Sequence, residues 1–307
     1  MKLKLSILST LGVAAIAVST AHANLLVSSG TGARLYSDSG SVLLTYSNTA
    51  ANYQGNTTDG TNAYFADFNF GIQKYNLATG APAVPANVTD NTFYTNGWPL
   101  YGIASKSSSD LIASYTLGAN HHFVHLNPAA TNTQTGISTN VGPPYEGSAY
   151  SPVGNLLYAV TPAGGGLIQK FDGTTGVFTG VQATGLVAPK DVAVNAAGSL
   201  IYIADNNLGQ IRLWDGVSAA TTLFATLSGA YGVDVDASGN VWASSSSTGV
   251  LNQYNSAGSL LSTANVGAGS TYITFTPVPE PSTYAFYALV GLSGLGLMVR
   301  RKWLRSA

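Results

Sequence analysis

The chain has 307 residues, of which 8% are charged and 45% hydrophobic, with 35 glycines, 17 tyrosines and no cysteine. With no disulfide available, cohesion must come from buried apolar surface. Between the two ends lie six basic residues (Arg34, Lys74, Lys106, Lys170, Lys190 and Arg212) against twelve acidic ones. A middle segment about six charges negative argues against nucleic acid as a partner, and its many Ser, Thr, Asn and Tyr suit an extracellular surface.

Residues 1–23 have the three parts of a secretory signal peptide. Lys2 and Lys4 give a positive start, residues 5–18 are apolar, and Ala21-His22-Ala23 offers the small residues that signal peptidase needs. The mature chain is expected to begin at Asn24. Roughly 250 residues then remain, enough for one large all-β domain over 24–277.

That segment repeats itself. A short pattern of alternating residues ending in a bulky and then a small polar residue occurs six times: ARLYS, IQKYN, FVHLN, IQKFD, IRLWD and LNQYN. Its bulky members, Tyr36, Tyr75, Leu126, Phe171, Trp214 and Tyr254, are spaced by 39, 51, 45, 43 and 40 residues. A period in the low forties is the length of one four-stranded propeller blade. Strands of the type Tyr202-Ile203-Ala204-Asp205 precede the copies, from Leu25-Leu26-Val27-Ser28 onward, and short first strands such as Asp191-Val192-Ala193-Val194 precede those. Gly198 and Gly239 supply turns between first and second strands.

The ends settle the blade count. The chain starts with a second strand at Leu25, and Thr271-Tyr272-Ile273-Thr274-Phe275 has the character of the missing first strand. Pairing the two closes a six-bladed all-β propeller and leaves no open seam. The stretch with Pro189, DVAV, Gly198, IYIAD and IRLWD resembles the NHL repeat of six-bladed propellers, which implies that fold and says little about activity.

Propeller sites form where first strands converge on the axis. The residues leading into those strands are Gln54, Tyr101, Glu146, Lys190, Tyr231 and Tyr272, with Asp191 beside Lys190. They suggest a ring of aromatics and hydrogen-bonding groups able to stack on sugar or hold a small ligand. Glu146 and Asp191 come from neighbouring blades and would meet at the channel mouth, or Glu146 would simply pair with Lys190. Gluconolactonase-type propellers set a carboxylate, an asparagine and an aspartate around a divalent metal. This sequence has Pro189-Lys190-Asp191 where their Pro-Asn-Gly would fall.

His121 and His125 would share one strand face with His122 on the other; without a nearby Cys or acidic partner they read as a solvated loop and strand edge, with metal binding the alternative. Asp234 and Asp236, also on one face, would cap turns, the commoner role of such a pair, or bind calcium. There is no nucleophile elbow, phosphate loop or zinc signature, and no catalytic residue or cofactor is assigned.

At the far end, the motif Val278-Pro279-Glu280-Pro281-Ser282-Thr283 forms an extended, exposed segment. An apolar run from Tyr284 to Val299 follows, then Arg300, Arg301 and Lys302 and a basic tail to 307. Sixteen residues at about 1.5 Å each make a helix of roughly 24 Å, which tyrosines and Trp303 would seat in the inner membrane with the basic cluster kept cytoplasmic. The order of Pro-Glu-Pro motif, membrane helix and basic terminus resembles the PEP-CTERM sorting signal. The resemblance implies processing by an exosortase near Pro279-Glu280-Pro281 and delivery to the cell surface or matrix.

The expected protein is therefore an exported, non-enzymatic surface module whose propeller binds exopolysaccharide or a matrix protein. The alternative is a secreted metal-dependent hydrolase or lyase working at the channel mouth around Glu146 and Asp191.

Overall fold

In the computed structural model, each pentapeptide of the repeat is the third strand of a four-stranded antiparallel sheet. The structure describes residues 24–276 except for 30–31, 38–39, 47–51, 70, 84–91, 95–98, 118–119, 130–133 and 138–141. The segment expected to be a signal peptide, the sorting motif, the apolar run and the basic tail lie outside the described residues. Among those described, no helix is long and apolar enough to cross a membrane.

The chain opens with β1 (Asn24–Ser29), β2 (Gly32–Tyr36) and β3 (Val42–Tyr46). Complete sheets follow: β4 (Tyr53–Thr58), β5 (Asn62–Asp67), β6 (Gly71–Asn76) and β7 (Thr92–Tyr94), then β8 (Leu100–Ser107), β9 (Asp110–Leu117), β10 (Asn120–Leu126) and β11 (Gln134–Ile137). The next comprises β12 (Gly147–Ser151), β13 (Leu156–Thr161), β14 (Leu167–Asp172) and β15 (Phe178–Ala183). Two more are β16 (Pro189–Val194), β17 (Ile201–Asp205), β18 (Gln210–Trp214) and β19 (Thr222–Thr226), and β20 (Ala230–Val235), β21 (Val241–Ser245), β22 (Val250–Tyr254) and β23 (Leu260–Asn265). The last strand, β24 (Ser270–Thr276), returns to β1, so the sixth sheet has the order β24-β1-β2-β3.

Closure follows the expected route, with Asn24 opposite Thr276, Leu25 opposite Phe275 and Val27 opposite Ile273. Thr276 Oγ1 donates to the Asn24 carbonyl at 3.1 Å and Thr271 Oγ1 to the Ser28 carbonyl at 3.0 Å. Both ends of the described chain therefore sit at one end of the axis, here called the lower end. The innermost strands begin at the opposite, upper end.

The core lies between blades, because neighbouring residues of a strand face opposite sides. On β5, Phe65 packs with Leu26, Leu35, Tyr46 and Tyr53 on one side, while Tyr64 packs with Leu100, Leu111 and Tyr115 on the other. On β17, Ile203 joins Trp214 and Val192, whereas Tyr202 joins Val233 and Tyr254. Fully buried Trp214 also needs its indole N–H satisfied, and it donates to the Ser218 carbonyl at 2.7 Å.

Candidate functional site

Close approach of six blades to one axis demands small residues, and the innermost strands supply them. A Cβ on Gly55 would lie 2.9 Å from the Tyr101 carbonyl, one on Gly102 3.0 Å from the Glu146 carbonyl, and one on Gly147 2.5 Å from Asp191 Cα. A Cβ on Gly232 would lie 2.2 Å from the Thr271 carbonyl. These contacts fix the equivalence around the ring: Gly55, Gly102, Gly147, Asp191, Gly232 and Tyr272 occupy one level.

That level corrects the reading of Tyr272. Its counterpart at the level above is Thr271; Tyr272 sits one residue deeper, where four blades have glycine. Strand alternation turns a one-residue slip into a change of face, so Tyr272 is only 3% exposed and does not line the mouth. Its ring meets that of Tyr231 edge-on at 5.3 Å, and the two hydroxyls perturb each other without reaching hydrogen-bond geometry. Burial pushes the Tyr272 hydroxyl well above the usual phenol range and raises that of Tyr231.

The upper level brings three of the candidates together. Lys190 Nζ donates to Glu146 Oε2 at 2.5 Å and stands 5.7 Å from the centre of the Tyr231 ring. Both charged side chains remain about a fifth exposed. Tyr101 lies apart from them, edge-on to the partly exposed Phe68 at 5.8 Å. Gln54 donates to Asn52 Oδ1 at 2.9 Å. Phe68 had no signal in the sequence beyond its aromatic character, since it sits on the loop after β5.

Asp191 does not join Glu146. Its Oδ1 accepts the Val192 N–H at 2.9 Å, and Oδ2 accepts the Val233 N–H of the next blade at 3.1 Å. Innermost strands are sheet edges whose free N–H groups need acceptors, and the preceding blade provides them. Asp234 does the same for the Phe275 N–H at 2.7 Å, and Thr57 Oγ1 for the Ser105 N–H at 3.1 Å. Burial raises the Asp191 carboxyl well above the usual range and pushes Asp234 up to about 6. Asp234 is walled in by strands yet keeps some solvent contact along the axis.

The pairing of Asp234 with Asp236 as one calcium face gives way to two separate jobs. Asp236 accepts from Ser238 N, Asn240 N and Trp242 Nε1 and so caps the β20–β21 turn, while Asp234 reaches the next blade. The histidines alternate as expected, His121 bonding Thr116 Oγ1 at 2.8 Å and His122 stacking on Tyr115. His125 does have an acidic partner: its Nδ1 lies 3.0 Å from Asp110 Oδ1. The antiparallel register of β9 and β10 brings the two together.

Residues 277–302 match the family model of the PEP-CTERM protein-sorting motif. The PEP-CTERM tail thus spans Pro279, Glu280, Pro281 and the segment from Tyr284 through Val299 to Arg300, Arg301 and Lys302. It implies export, processing by an exosortase and sorting to the cell surface. No curated protein matches the chain. Among solved structures, the chain is similar to one in a nidogen/laminin complex, at 14% identity and a TM-score of 0.67, covering 83% of this chain and 98% of that one. It is also similar to a protein of unknown function from Bacteroides caccae, at 11% identity and a TM-score of 0.62, with the same coverage of each chain. These likenesses establish the fold, a six-bladed propeller, ahead of a PEP-CTERM tail.

Proposed function

We propose that the protein is a surface-displayed binding module whose upper axial mouth takes a carbohydrate chain of the exopolysaccharide matrix. The observation that carries this reading is the cluster of Tyr231, Lys190 and Glu146; Tyr101, packed against Phe68, is a separate aromatic at the same level of the ring. Aromatic rings offer flat apolar faces to sugar rings, and the ion pair offers donors and acceptors to hydroxyls. The described chain ends at Thr276, at the lower end of the axis and so at the opposite end from the mouth.

A metal-dependent hydrolase centred on Glu146 and Asp191 finds less support. Glu146 is engaged by Lys190, and both Asp191 oxygens are engaged by backbone N–H groups.

A glycan array probed with the full-length chain tests the proposal. Saturable binding should weaken about tenfold, near 1.4 kcal/mol, in Tyr101→Ala and in Tyr231→Ala. Binding unchanged in both variants would remove the mouth as the site.

A further inference from the structure

A cavity of about 230 Å³ opens on the flank of the closing blade, between its strands β1, β2 and β3 and residues 266–268 of the loop after β23. We propose that it binds the carboxylate of an acidic sugar, one uronic acid unit of a polysaccharide, and that Arg34 is the residue that holds it. The site is separate from the mouth, since Tyr101, Glu146, Lys190 and Tyr231 do not line it, and it stands independently of any sugar bound there.

Arg34 departs from the pattern of the chain's few cations. Of the six basic residues between the two ends, the other five spend N–H groups on the protein. Lys74 donates to the Pro128 carbonyl at 2.7 Å, Lys170 to the Gly216 carbonyl at 2.9 Å and Lys190 to Glu146, while Lys106 pairs with Asp110 at 3.5 Å. Arg212 holds the same place in its blade as Arg34, two residues before the bulky end of the third strand, and its guanidinium bonds Thr221 and Gln210. The other polar residues at that place, Gln73, Gln169 and Asn252, also bond within the protein. Arg34 has neither a hydrogen bond nor an ion pair among the described residues, and it is the one charged residue of those lining the cavity.

The surroundings of Arg34 are neutral and rich in hydrogen-bonding groups. Across the ladder from it stand buried Val27 on β1 and exposed Thr45 on β3, and both line the cavity. Ser29 Oγ, also on the lining, donates to the Gly32 carbonyl at 3.0 Å and keeps acceptor capacity. The strand β3 is the outer edge of its sheet, so alternate backbone N–H and C=O groups along it have no strand partner. The Tyr36 hydroxyl donates to the Val266 carbonyl at 3.0 Å and ties the two walls together, so the space is formed before any ligand arrives.

The chemistry selects the ligand. The planar guanidinium fork matches a carboxylate through two parallel hydrogen bonds, a geometry that a lysine ammonium does not offer. Twelve acidic residues against six basic ones in the middle segment repel a polyanion at long range, so the site favours a single carboxylate caught at contact distance over a phosphate backbone. The hydroxyls and edge backbone groups around the guanidinium suit a ring that carries hydroxyls beside its carboxylate, which an acidic peptide side chain lacks. At about 30 Å³ per water, the cavity has the room of about seven waters, the scale of one sugar unit rather than a chain.

The test is an NMR titration of the full-length chain with a disaccharide of one glucuronic acid and one glucose, following the Arg34 side-chain Nε–H and the backbone amides of Thr45 and Gly267. Saturable shifts at these three groups are expected. Affinity should fall at least tenfold for the methyl ester of the same disaccharide and for a blocked Gly-Glu-Gly peptide. It should also fall at least tenfold in Arg34→Gln and about threefold in Arg34→Lys, which keeps the charge and loses the fork. Because Arg34 is exposed, both variants should unfold at the parent's temperature. Tyr231→Ala, at the mouth, should leave these shifts unchanged. Absence of saturable shifts, equal affinity for the ester, or full affinity in Arg34→Gln would overturn the site. Equal affinity for the peptide would overturn the sugar as its ligand, and loss in Tyr231→Ala would move the binding to the mouth and overturn the flank.

Discussion

The innermost and outermost strands of this propeller obey different rules. On β23, Leu260 and Leu261 are 57% and 53% exposed, and on β3 Val42 and Leu43 are each 51% exposed. Nothing in the described structure presses on them. At the axis, glycines have backbone of the next blade within 3 Å of where a side chain would begin, and buried carboxylates and hydroxyls join blade to blade. The contrast teaches that close backbone approach and blade-to-blade polar contacts belong to the axis, while the rim completes each sheet and buries only single residues such as Tyr46 between blades.

The comparison can be broken most sharply at Gly232. Alanine there would place its Cβ 2.2 Å from the Thr271 carbonyl and 2.8 Å from Ser244 Oγ, forcing the closing strand outward. Urea unfolding should show a loss of about 3 kcal/mol or more, against less than about 0.5 kcal/mol for Leu261→Ser on the rim. Equal losses would erase the distinction between the two regions.

A smaller effect is expected just off the axis. Fully buried Asp205 accepts the N–H groups of Val187, Ala188 and Leu208, holding the segment that leads to Lys190. Asp205→Ala leaves those donors unpaired and should cost about 2 kcal/mol in the same assay. It should also weaken glycan binding at the mouth, although it touches no ligand. Unchanged binding would show that the mouth does not depend on this support.

Much of the fold was legible because each blade repeats one strand with one bulky residue, and Trp214 and Tyr254 fill equivalent inter-blade spaces. Closure was legible because Leu25 had no first strand before it and Tyr272 stood in a strand with no blade of its own. Depth along the axis was not. Tyr231 and Tyr272 look equivalent as letters, but the glycine contacts place Tyr272 one residue further in, and only neighbouring blades reveal that. Asp191 and Asp234 read as mouth and turn residues because their partners, the Val233 and Phe275 N–H groups, belong to blades distant in sequence. The His125–Asp110 contact was hidden for a different reason: it depends on the register between the adjacent strands β9 and β10 of one blade.

Amide hydrogen exchange across the whole propeller tests the central contrast most directly. The Val233 and Phe275 amides, each held by a carboxylate of the preceding blade, should exchange only with global unfolding, and β24 should be as protected as β16. Amides of β3 and β23 should exchange at least about a hundredfold faster, near 2.7 kcal/mol of easier opening. If β24 instead exchanges as fast as the rim, the ring is not closed by its two ends and the blade-to-blade contacts of the axis do not hold it.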